Sequence, residues 1–176
     1  MNKTIILIIG VFFTYMMIGN AFSEYTIPDE AIRIRIVPNS NEIVDQEMKE
    51  KVKIKVEKDI YELLKNSKSI EESRTLINEY IPYIKDSINT IFKYNNYNMS
   101  YNVNYGLNYF PEKEYKGVKY EAGMYESLYI TIGEGCGDNW WCVLFPPICM
   151  LEAEESTDIE YRVFVKDIFN QYLSIN

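Results

Sequence analysis

Histidine does not occur in this chain. Its absence excludes Ser-His and Cys-His nucleophile pairs and every histidine-ligated metal, which leaves carboxylates, Cys, Lys and Tyr for any chemistry. Basic side chains are also in short supply. Eighteen Lys and Arg against 26 Asp and Glu give a net charge of −8, which argues against a nucleic acid partner, because a phosphate backbone needs clustered Lys and Arg. The three cysteines, at 136, 142 and 149, show no C-x-x-C spacing. A zinc site here would need a fourth ligand such as Asp138 or Glu134, and no cofactor or metal is expected. The chain carries no internal repeat, and 176 residues suffice for one core but not two. Tyr, Asn, Ile and Lys are abundant, as AT-rich codon usage would produce.

Residues 1–23 read as an export signal. Lys3 is the only charge; an apolar run from Ile5 to Ile18 follows, then the small residues Gly19, Ala21 and Ser23. Cleavage after Ala21 or Ser23 fits. So does an uncleaved anchor, because Thr4 to Ser23 carries no charge and is just long enough to span a bilayer. Either way residues 24–176 are expected as one domain outside the cytoplasm.

Within that domain AIRIRIV (31–37) alternates, with Ile32, Ile34 and Ile36 opposite Arg33 and Arg35, and predicts a half-buried strand. Pro38-Asn39-Ser40-Asn41 ends it and offers helix caps. Val44, Met48, Val52, Val56, Ile60 and Leu64 recur every fourth residue and predict a helix over about 43–65, with Lys49, Lys51, Lys53, Lys55 and Lys58 on its solvated faces. Ser69-x-x-Glu72 is a capping box opening a second helix to about 94, which Pro82 should kink or split. Met99 to Leu107 alternates as a strand with a bulge expected at Gly106. A loop or irregular hairpin covers 110–124, a third strand 127–132, and a closing helix about 157–173. Trp140 to Phe145 is too short to assign. One α+β two-layer domain, a small mostly antiparallel sheet packed by helices behind an N-terminal signal segment, satisfies this order.

The segment GEGCGDNWWCVLFPPIC (133–149) collects both tryptophans and all three cysteines. Its spaced glycines lack the helix-opening context and the Lys of a phosphate loop. In an exported protein a disulfide is favoured, with one cysteine left over; Cys142–Cys149 would close a small loop around Pro146-Pro147. In a strand, Trp140 and Trp141 point to opposite faces. Tryptophan beside Phe145 and a rigid Pro-Pro has the composition of a binding hot spot; two core tryptophans would look the same.

Asp138 to Cys149 (DNWWCVLFPPIC) is similar to the NWWCVLFPPLC signature of the stage II sporulation protein R family of endospore-forming Firmicutes. Three other stretches agree with it: Ile34 to Asn41 with Asp45, Gln46 and Lys49; Phe110-Pro111-x-Lys113-x-Tyr115; and Ala122-Gly123-x-Tyr125-x-x-Leu128. The chain departs from the family pattern at Glu121, Ser127 and Cys136. The departure at Cys136 makes it the odd cysteine and leaves Cys142 and Cys149 as the family pair. The resemblance implies a signalling protein rather than an enzyme. Such a protein is exported from the forespore into the space between forespore and mother-cell membranes. There it activates a membrane-embedded aspartic protease, stage II sporulation protein GA, which processes the sigma factor E precursor. Membrane contact is expected only through an uncleaved N-terminal segment. Asn139, Trp140, Trp141, Phe145, Pro146, Pro147 and Tyr125 are the expected contact or its support. The rival readings are an exported hydrolase using Glu134, Asp138 or Glu126, and an anchored envelope scaffold.

Overall fold

The computed structural model describes residues 25–26, 30–115 and 118–148, with 165, 167–168 and 170–171 of the tail. The export segment lies outside the described residues. So does most of the closing helix, whose described positions, 165, 167–168 and 170–171, are helical. Among the described residues no helix is long and apolar enough to cross a membrane.

Strand β1 is Tyr25–Thr26 and β2 is Ile32–Val37; helices α1 (Ile43–Leu64) and α2 (Ile70–Tyr94) follow. Then come β3 (Tyr101–Phe110), β4 (Lys113–Tyr115), β5 (Val118–Tyr120), β6 (Gly123–Ile132) and β7 (Trp140–Phe145). The main sheet runs β3-β6-β2-β7, with β2–β6 parallel and the other two pairs antiparallel. A small sheet runs β1-β5-β4. This is the α+β architecture the sequence predicts, with a mostly antiparallel main sheet packed by helices. The run 140–145, too short to assign from its own pattern, is an edge strand because β2 supplies its partner.

The two layers follow from period. Ile32, Ile34 and Ile36 join Val103, Leu128, Ile130, Ile132 and Leu144 under the helices. Met48, Val52, Val56, Ile60 and Leu64 of α1 and Ile77, Ile84, Ile88 and Phe92 of α2 complete that core. Each fully buried Ile or Leu contributes roughly 1.5–3 kcal/mol. Val44 stands off the stripe and is exposed, while the next residue, Asp45, is buried. Ser69 caps α2, its Oγ accepting from the Glu72 N–H at 3.2 Å. Glu72 reaches back to the Lys68 N–H at 2.9 Å. Pro82 does not split α2. It lies on the exposed side, where the Asn78 carbonyl that loses its partner faces water.

The helix start at 42–43 differs from expectation. Glu42 is the N-cap and makes no side-chain cap. The residues of 38–41 are spent on a loop opposite. The Asn39 side-chain oxygen accepts from the Glu134 N–H (3.0 Å), and that of Asn41 accepts from the Asp138 N–H (2.6 Å). The carbonyls of Asn39 and Pro38 accept from the N–H groups of Cys136 and Gly137. Asp45 closes the site from α1, accepting from Asn39 (2.8 Å), Ser40 (2.7 Å) and Tyr97 (2.6 Å). The Ser40 and Tyr97 bonds hold its carboxyl below the ordinary value against the opposing effect of burial. Burial, and then the Asp45 bond, push Tyr97 up. Lys49 is not solvated: its ammonium donates to Gln46 (2.7 Å) and to the Asp138 carbonyl (3.3 Å).

Gly106 forms no bulge; its pairing with Ser127 lies inside an unbroken ladder from Tyr101 to Phe110. The register break in the sheet is on β2–β7, between Ile32 and Arg33. Gly106 instead has φ +155°, which side chains disfavour, with open space where a Cβ would point. The ribbon bends there. Arg35 lies opposite Tyr129, which lies opposite Asn104, and Tyr109 is five residues further on, about 16 Å along a straight strand. Yet Arg35 Nη1 donates to the Tyr109 carbonyl at 3.0 Å. The outer half of the β3–β6 ribbon therefore coils over the sheet face opposite the helices.

Two outcomes test this frame. A Cβ on Gly137 meets the Ser40 carbonyl and, at 2.7 Å, the Pro38 ring. Gly137→Ala is thus expected to destabilise the fold by about 1–3 kcal/mol in urea unfolding. Asp45 has a depressed folded pKa, so its contribution is complete above its unfolded value near 3.9 and is lost as pH falls through the lower folded value. Unfolding free energy measured against pH should fall more steeply below pH 4 in the unmodified protein than in Asp45→Asn.

Candidate functional site: an aromatic cage around Arg33

The second face of the sheet is not solvated over β2. Arg33 is 1% exposed. The alternation that predicts an outward Arg33 holds, but the coiled ribbon and the small sheet cover that face. The Arg33 guanidinium carbon lies 3.3 Å from the Tyr125 ring centroid, 5.6 Å from that of Phe110 and 5.7 Å from that of Trp141. Burying a guanidinium costs several kcal/mol, and stacked ring faces offset part of that cost. The rings brace one another edge to face: Phe110–Tyr125 at 6.1 Å, Phe110–Trp141 at 5.7 Å and Tyr120–Trp141 at 4.6 Å. Tyr125 is fixed by its hydroxyl, which donates to the Glu121 carbonyl at 2.9 Å. Val118, Tyr120, Val143, Ile148, Val165 and Ala31 form a small core beneath.

Trp140 and Trp141 point to opposite faces, as strand geometry requires. Trp140 packs against the helix-side core with the Lys53 ammonium 5.2 Å from its ring. Trp141 closes the cage, and the Lys113 ammonium lies 5.8 Å from its ring. Both are half-buried. Asn139 and Pro147 are also half-buried. With its amide oxygen toward Arg35, Asn139 accepts from Nε (3.2 Å) and Nη2 (2.7 Å). Tyr125, Phe145 and Pro146 are buried. Of the seven expected contact residues, four are half-buried and three buried; Asn139, Trp141 and Pro147 form a rim, while Trp140 and Phe145 belong to the helix-side core. Cys142 is disulfide-bonded and Cys136 is a free, exposed thiol; Cys149 lies outside the described residues.

The three carboxylates of the hydrolase reading do not assemble. Glu126 receives Arg74 Nε (2.9 Å) and Nη2 (2.8 Å) and the Tyr105 hydroxyl (2.8 Å). Burial raises its pKa, but the Arg74 and Tyr105 bonds outweigh that and hold it below the ordinary value. Glu134 and Asp138 are exposed beyond the other end of β6, about 20 Å along the strand. Among the described residues no three Cys, Asp or Glu gather as a metal site.

Arg33, Phe110 and Tyr120 are site residues that the sequence pattern does not single out. In the sequence Arg33 looks solvated, and Phe110 carries no mark beyond the Phe110-Pro111-x-Lys113-x-Tyr115 stretch. The stretches around 34–41, 110–115, 122–128 and 138–148 are the ones the fold brings together, at the cage and at the 38–41 loop; Phe110 lies in one of them, and Arg33 and Tyr120 lie just outside.

The molecule is thus a small α+β domain with an arginine-filled aromatic cage on one sheet face. The family described as stage II sporulation protein R matches residues 28–155. Stage II sporulation protein R of Bacillus subtilis (strain 168) is 39% identical over 163 residues, covering 86% of this chain and 73% of that protein. The chain belongs to the stage II sporulation protein R family, a family of sporulation proteins. No solved structure matches it.

Arg33→Lys keeps the charge but loses the planar stack. It is expected to lower stability by about 2–4 kcal/mol in urea unfolding, with a red shift of tryptophan emission as Trp141 loosens.

Proposed function

We propose that this protein is an exported sporulation signal. It acts in the space between forespore and mother-cell membranes on a membrane-embedded aspartic protease, stage II sporulation protein GA, which then processes the sigma factor E precursor. The protein supplies no chemistry of its own. It binds the extracytoplasmic side of the protease and holds it in an active, dimeric state, which requires tighter binding to that state than to the inactive one. The observation that carries this reading is the rim: Trp141 leaves the cage half-exposed beside Asn139 and Pro147, while buried Arg33, Phe110 and Tyr120 hold its ring. A rigid, half-open aromatic rim is what a protein contact uses as its anchor.

The test is co-expression in a non-sporulating bacterium of this protein, the protease and a tagged precursor. Processing should require this protein with its export segment. Trp141→Ala should cut processing about tenfold or more with the exported amount unchanged, and Trp140→Ala should weaken it. Normal processing by an exported, folded Trp141→Ala protein would remove the rim from the contact.

A further inference from the structure

We propose that the outer edge of β3 accepts an extended segment of the membrane partner as an added strand. This rests on the reading above and gives the partner a second point of contact, three strands away from the Trp141 rim. Main-chain groups supply the first argument. The Gly133 N–H donates to the Ser100 carbonyl at 2.7 Å, and antiparallel ladders alternate from there. Even residues of β3 therefore bond β6, and the N–H and C=O groups of Tyr101, Val103, Tyr105 and Leu107 turn outward. Among the described residues nothing pairs with them. The opposite edge differs, since Val143 and Phe145 on β7 have further interactions.

The second argument is the absence of protection. Open edges are normally blunted by Lys, Pro or a bulge. β3 is ten residues long with none of these, and no charged residue occurs between Lys93 and Glu112. On its helix side Leu107 and Tyr109 are 68% and 59% exposed, and Met124, opposite Tyr109, is 59% exposed. On its other side stand Asn102, Asn104 and Asn108. An added strand would alternate apolar and polar side chains to match. In a molecule of net charge −8 the approach favours a neutral or basic segment.

Shape decides against a second copy of this chain. A two-fold axis through the middle of β3 would set the straight half, 101–105, of one copy along the coiled half, 107–110, of the other, and the two edges would diverge. A flexible segment can follow the coil.

Leu107 tests the edge, because its side chain is exposed and its N–H is not used by β6. Leu107→Lys and Leu107→Pro, in the full chain, should lower precursor processing about tenfold, and Leu107→Thr should stay within about twofold. Hydrogen exchange gives the direct readout. Amides of Val103, Tyr105 and Leu107 should exchange at least about tenfold more slowly with membranes carrying the protease than with membranes lacking it. If amides near Trp141 slow and these three do not, or if the Lys and Pro variants process normally, the edge is not a contact and the signalling function stands. If no amide slows and no precursor is processed, both readings fall.

Discussion

A guanidinium taken out of water has to be met by something, and the ring faces around Arg33 supply part of what meets it. Tyr125, Phe110 and Trp141 come from β6, β3 and β7, and no two consecutive strands could supply all three. The ribbon must coil to bring Phe110 and Tyr125 over β2, and Gly106 permits the bend. The small sheet then lands on Trp141 through Tyr120. The cage is thus what ties the covered half of the second face to the first, and the rim inherits its rigidity from a charge it does not expose.

The other fixed point is the contact between 38–41 and 133–138. Two glycines there serve close approach, since a Cβ at Gly133 would strike Asn39 and one at Gly137 would strike Ser40, while Gly135, at φ +65°, serves the turn between them. The same loop hands the chain to Trp140 in register with Ile36. Glycine spacing that resembles a phosphate loop on paper is here a surface planed flat for another loop.

Period carried most of the fold. Both helices, β2, β3 and β6 were legible because each has one apolar face and a matching repeat. What stayed hidden depended on partners remote in sequence. Trp140 to Phe145 has no alternation to read, since both its faces are covered. Arg33 and Lys49 look solvated until the residues that bury them are placed. Asn39 and Ser40 look like caps because local chemistry cannot reveal that Asp45 and Glu134 compete for them. Only the family likeness marks the rim residues; composition alone leaves their role open.

The position of β2 sets the order of assembly. It is the first strand of the main sheet to leave the ribosome, yet its neighbours are β6 and β7, the last two. Arg33 must wait for Ser127, and Arg35 for Trp141. The helical hairpin α1–α2 can form early from near contacts, but the sheet cannot close until almost the whole described chain exists. Such a chain stays open-ended while it is being made, and if it is exported as proposed it reaches the membrane before its sheet can close.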